Sequence, residues 1–265
     1  MASWVIDALY ITEWERLDTI CVRVLTIRLK GWTQSAIADL AESNAPYIAE
    51  QLRNDLATSV MDGVPPAFEI DSEEKPYIRL VDAHILPLLK KLRSIDPLDF
   101  EHVCSSILRK MGALAEVTNK TRDDGVDFYA IDFDFVPDGI ITPQACRAAV
   151  IGQAKRYKDG NNVKETDVRA FIGGAMKVKN DLTMKGKILP LSPVVYAFWT
   201  TSDFDPNAKT FCRSLGLWYL SGRALARYVL DLGLEPTVDD FIKIFAERRR
   251  GANKGDQGAI GDGGS

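Results

Sequence analysis

Histidine and cysteine are scarce: two and four in 265 residues. The cysteines, Cys21, Cys104, Cys146 and Cys212, stand far apart, with no C-x-x-C spacing. A zinc centre built from nitrogen and sulfur ligands is thereby disfavoured. Three of the four lie among apolar residues and read as buried thiols of a reducing compartment. No apolar run reaches membrane-spanning length, and the N-terminus lacks the pattern of a cleaved leader. The expectation is a cytoplasmic chain without a membrane partner. Internal repeats are also missing. So is any excess of positive charge: the net charge is -4 and the pI about 5.4. That balance argues against a protein that coats DNA indiscriminately.

What is present fits a globular α/β protein, with 46% hydrophobic and 26% charged residues. The charge is uneven. Residues 1–96 hold 10 Lys and Arg against 15 Asp and Glu, whereas residues 141–190 hold 10 against 4. The basic surface is therefore local.

The first third, residues 1–95, predicts three helices and a hairpin. Trp14, Leu17, Ile20, Cys21, Val24 and Leu25 recur at helical spacing up to Gly31. Thr33 caps a short second helix, and Asn44-Ala45-Pro46 separates it from a third that runs to about Val60. Two alternating segments, Ala67–Ile70 and Tyr77–Leu80, flank a polar turn. This order predicts a small winged-helix-like α+β domain. Its third helix offers Arg53 as the one basic residue, although phosphate contacts need Lys and Arg. Dimerisation or docking of a partner protein stands beside DNA reading as its role.

Residues 96–250 predict an α/β sandwich. Asp96 and Pro97 open a helix with Phe100, Val103, Cys104, Ile107, Leu108 and Met111 on one stripe. Glu101 lies just off that stripe. Strands are expected at 114–118, 125–135, 148–154, 193–200 and 217–220, with helices at 163–179, after Asp205-Pro206, and from Ser221 to about Leu232. Asp127 begins an apolar strand, and Lys155 follows directly on another. The glycine-rich stretch 251–265 is expected to be disordered.

Four stretches then resemble one family. Pro97–Val103 is similar to a "P-x-x-F-E" entry helix, Asp123–Asp127 to "D-x-G-[IV]-D", Gln153–Lys158 to "Q-x-K-R-Y", and Thr200–Ala208 to "T-[ST]-x-F-[ST]-x-x-A". In this order, over about half the chain, they resemble the Mrr-type restriction endonuclease catalytic domain of the PD-(D/E)XK nuclease superfamily. The segment between Asp127 and Gln153 is longer than the family usually shows. Gln153 replaces the acid of the (D/E)-x-K signature, as is common in Mrr-like enzymes.

The resemblance implies a PD-(D/E)XK nuclease-like sandwich, a central mixed sheet flanked by helices. It also implies Mg²⁺-dependent cleavage of DNA, with Mn²⁺ able to substitute. Asp127, Gln153 and the Ala154 carbonyl would hold the metal, and Glu101 would bind or orient a metal-bound water. Lys155 would orient the attacking water or stabilise the developing charge. Arg156, Lys158 and Lys164 would contact DNA phosphates. Restriction of modified foreign DNA and service as a nuclease subunit in an antiphage complex are the competing biologies. A homodimer, or a partner held by the N-terminal domain, fits either. Two rivals remain: a catalytically inactive nuclease-fold scaffold, and an unrelated α/β protein in which Asp127 and Lys155 merely form an ion pair.

Overall fold

A computed structural model describes residues 2–9, 12–61, 63–64, 66–118, 125–134, 143–158 and 161–256. The chain divides into two compact units, residues 1–87 and 88–265. The boundary expected after residue 95 lies at the far end of the helix that follows the hairpin.

The first unit contains α1 (Ala2–Asp7), β1 (Glu15–Arg16), α2 (Leu17–Arg28), α3 (Gln34–Met61), β2 (Phe68–Ile70) and β3 (Tyr77–Leu80). The three strands form an antiparallel sheet in the order β1-β3-β2. Leu17, Ile20, Cys21, Val24 and Leu25 of α2 meet Ile37, Ala41, Ile48, Ala49 and Leu52 of α3 in its core. The expected break at Pro46 does not occur: α3 is continuous through it. Proline removes an intrahelical hydrogen bond and costs ~3 kcal/mol in a helix interior. Burial on either side of Pro46 outweighs that cost, because Ala41, Ile48, Ala49 and Leu52 seat both halves in the same core. Thr33 caps α3 as expected, its Oγ1 accepting from Ala36 N at 3.3 Å.

Helix α4 (Ile85–Ser94) leads into the second unit. There follow α5 (Pro97–Lys110), β4 (Leu114–Val117), β5 (Phe128–Phe133), β6 (Ala148–Lys155), α6 (Glu165–Met184), β7 (Val194–Thr200), α7 (Pro206–Ser214), β8 (Trp218–Leu220), α8 (Gly222–Asp231) and α9 (Glu235–Asp256). The sheet order is β4-β5-β6-β7-β8. The pairs β4–β5 and β5–β6 are antiparallel, and β6–β7 and β7–β8 are parallel. This is the expected mixed sheet flanked by helices. Tyr129, Ile131, Ala149, Ile151 and Phe198 pack towards α6 and α7, where Val168, Phe171, Ala208 and Cys212 complete the core. Alternate residues lie on the other face of each strand, where α5 and α8 cover the sheet.

Helix α5 starts where its sequence places the start. Asp96 Oδ1 accepts from Leu98 N at 3.0 Å, and Pro97 occupies the first turn. An Asp96→Ala substitution is expected to lower stability by about 1 kcal/mol, the usual cost of losing such a cap. Thermal denaturation should show the drop, and an unchanged Tm would refute it. Three cysteines are buried and Cys146 is exposed. Burial raises the Cys21 thiol to about 11 and the Cys212 thiol to about 12, so both are neutral packing groups. Two expectations need amendment. Helices α1 and α9 carry no counterpart in the sequence reading, and α9 takes in residues 251–256 of the stretch expected to be disordered. The remainder of that stretch, residues 257–265, lies outside the described residues, as do Asp123 and Asp124 of the acidic element.

Candidate active site

The site is built where β5 begins and β6 ends. Gly125, at φ +66°, adopts the left-handed conformation that glycine accepts without strain. Thr118 clamps the next two residues: its N–H donates to Asp127 O at 2.9 Å and its Oγ1 to Val126 O at 2.6 Å. Asp127 N–H donates to Gly152 O at 2.9 Å. Asp127 is thus held by backbone bonds to segments on either side of it. Its Oδ2 accepts from Ala154 N at 2.8 Å. The long segment between Asp127 and Gln153 therefore does not separate the two strand ends.

Strand β6 delivers the other groups. Gln153 is 6% exposed, and its Oε1 is buried without a hydrogen-bond partner. Lys155 is the last residue of the strand and pairs in parallel register with Thr200. Its carbonyl accepts from Thr200 Oγ1 at 2.8 Å and from Thr201 N at 3.2 Å. Thr201 Oγ1 also accepts from Tyr157 N at 2.9 Å and donates to Tyr157 O at 2.8 Å. The two threonines of the family's strand exit therefore fix the backbone on both sides of Arg156. Their sequence signal was visible as a motif, but their clamping role was not.

Glu101 sits in the second turn of α5, 9% exposed. Burial drives the Cys104 thiol well above its ordinary value, and the carboxylates of Asp127 and Glu101 push it further. The basic residues divide. Arg156 donates through Nη1 to Arg93 O at 3.0 Å and is half-buried. Lys158 and Lys164 are exposed, and Lys164 N–H donates to Asp167 Oδ2 at 2.9 Å in the first turn of α6.

An open pocket of about 430 Å³ takes in Gln153 and Lys155 of these groups; Asp127, Glu101, Arg156, Lys158 and Lys164 do not line it. Gln153 and Lys155 line it from β6, with Gly125 beside them. Helix α6 supplies a further wall that includes Gly173 and Lys177. The sequence showed Lys177 on a polar helix face without showing what that face adjoins. Among the described residues, no three His, Cys, Asp or Glu side chains gather to hold a metal. The available donors are instead mixed: the Asp127 carboxylate, the unpartnered Gln153 amide oxygen and the Ala154 carbonyl. Oxygen donors of this kind suit a hard divalent cation such as Mg²⁺. The orphaned Oε1 is the local feature such an ion would satisfy, so the residues fit one.

No curated protein matches the chain. Among solved structures, the MspJI restriction endonuclease in complex with a 27-mer oligonucleotide is 18% identical, with a TM-score of 0.42 over 63% of this chain and 36% of that one. The DNA modification-dependent restriction endonuclease AspBHI is 16% identical, with a TM-score of 0.44 over 63% of this chain and 41% of that one. The restriction endonuclease FokI is 12% identical, with a TM-score of 0.37 over 88% of this chain and 44% of that one. The chain thus spans less than half the length of each of these structures. Residues 92–229 match the restriction endonuclease family defined by the Mrr catalytic domain. That match takes in the entry helix, the Asp127 and Lys155 strands and the threonine clamp, and through it the chain belongs to the Mrr-type restriction endonuclease family.

Proposed function

We propose that the chain is a divalent-metal-dependent DNA endonuclease that uses Mg²⁺, with Mn²⁺ as a substitute, in restriction or antiphage defence against foreign DNA. The observation that carries this reading is the joining of Asp127 to Ala154 N, beside a buried Gln153 Oε1 that has no partner. Asp127, Gln153 and the Ala154 carbonyl would hold the metal. When bound, the cation polarises the scissile phosphate and lowers the pKa of the attacking water. Glu101 would bind or orient a water at the metal. Lys155 places a positive charge where charge develops on the phosphorus oxygens. Lys158, Lys164 and Arg156 attract neighbouring phosphates.

We assign the N-terminal unit, for which the sequence predicts a winged-helix-like domain, to a partner protein or a second copy of the chain. Helix α3 has Arg53 as its one basic residue. That guanidinium donates to the carbonyls of Asp71, at 2.9 and 3.2 Å, and Glu73, at 3.0 Å. It is thus engaged with the hairpin turn and poorly placed to neutralise a phosphate.

The test is incubation of the purified chain with methylated and unmethylated plasmid, with Mg²⁺, with Mn²⁺ and with chelator. Cleavage is expected only with a divalent ion. Asp127→Asn keeps an acceptor oxygen for Ala154 N but removes the charge, and it is expected to abolish cleavage and weaken calorimetric Mn²⁺ binding. A wild-type chain that binds neither metal nor DNA would end the nuclease reading. Metal binding identical in Asp127→Asn would end the ligand assignment and favour the inactive scaffold.

A further inference from the structure

Helix α6 has two unlike faces. Val168, Phe171, Ala175 and Leu182 are buried in the core. Ala170, Gly173, Gly174 and Lys177 recur at i, i+3, i+4 and i+7, the spacing of one helical stripe, and all four line the pocket that Gln153 and Lys155 enter from β6. Glycine within a helix costs roughly 1 kcal/mol relative to alanine, so Gly173 needs a reason. Packing does not give one, because a Cβ at Gly173 would meet nothing within 4 Å. Gln153, 6% exposed, also lines this pocket from β6. Asp167 also borders it, but its carboxylate accepts from Lys164 N–H and so closes the first turn of the helix.

We propose that α6 forms the bed on which the DNA backbone lies beside the scissile phosphate. Lys177 holds a neighbouring phosphate, and Gly173 is bare so that the sugar–phosphate chain can approach the helix. Lys155 and Lys177, on either side of the pocket, set the path of the strand. An ammonium on a flexible stem suits this task, since it acts as a point charge on phosphate without demanding a fixed geometry. The inference rests on the DNA-cleaving reading and adds a strand-positioning surface to it.

The test uses the full chain and a fluorescent duplex, with binding followed by anisotropy across a salt series in the absence of divalent ions. Gly173→Ala is expected to raise Tm, because it improves helix propensity without a clash, while weakening DNA binding. Gly173→Gln should weaken binding further by filling the pocket. Lys177→Gln should weaken binding roughly tenfold, as for one lost hydrogen bond to a charged group, with similar loss on every sequence and a salt slope reduced by about 1. Mn²⁺ binding to the DNA-free variants should match the wild type. Wild-type DNA affinity and salt slope in both Gly173→Gln and Lys177→Gln would overturn the inference while leaving the nuclease reading intact. A wild-type chain that binds no DNA would overturn both.

Discussion

Lys155→Ala is expected to lower the rate of DNA cleavage by about 10²–10³-fold, the usual cost of removing one donor aimed at developing transition-state charge. The fold should survive. The main chain of Lys155 is held by Thr200 and Thr201 through its carbonyl, and none of those bonds involves the ammonium. Alanine therefore leaves β6 paired with β7 while removing the one charged group that the strand end projects into the pocket. Rates at saturating DNA, with Tm measured in parallel, separate the two effects. Lys155→Arg restores the charge in a planar fork and should recover only part of the rate. Cleavage by Lys155→Ala at the wild-type rate would refute the assignment.

The largest effect on stability is expected from Gly152→Ala. Gly152 pairs with Phe128 across the antiparallel β5–β6 ladder. A methyl carbon there would fall inside the van der Waals envelope of the Phe128 ring. That ring is fully buried and tilts against Trp199 at a centroid distance of 5.2 Å, so it has little room to retreat. Overpacking of this kind costs about 1–3 kcal/mol, and each kcal/mol lowers Tm by roughly 2–4 °C in a protein of this size. Activity should fall as well, because Gly152 O holds Asp127 N. A Phe128→Leu change in the same chain should restore part of the loss, so that the two substitutions are not additive. An unchanged Tm in Gly152→Ala would show that the ring can move aside.

Much of this architecture was legible in the residues. The Asp96-Pro97 and Asp205-Pro206 starts are local signals, since each aspartate caps its helix through a backbone N–H. The α5 stripe and the apolar runs of β6 and β7 are equally local. The Asp127–Gln153–Lys155 set was legible because a family motif spaces it, and the structure brings those strand ends together. Other features depend on tertiary context. Pro46 reads as a helix break until the core on both sides of it is known. The glycines of residues 251–256 read as coil, yet α9 includes them. Neither helical period nor charge shows that the Gly173–Lys177 face adjoins β6. The crossover from β6 through α6 to β7 decides that, because a parallel pair requires the intervening helix to pack back over the sheet.

The direction of β5 and β6 bears on how such a domain can diversify. Phe128 lies opposite Gly152 next to Asp127, whereas Phe133 lies opposite Ala148 at the other end of the same pair. The connection between the strands therefore leaves from the end remote from the chemistry. Closing a longer flexible loop costs only about 0.6 kcal/mol for each doubling of its length. Added sequence there leaves the register that joins Asp127 to β6 unchanged. The topology thus lets one end of this hairpin vary in length while the other is held in register.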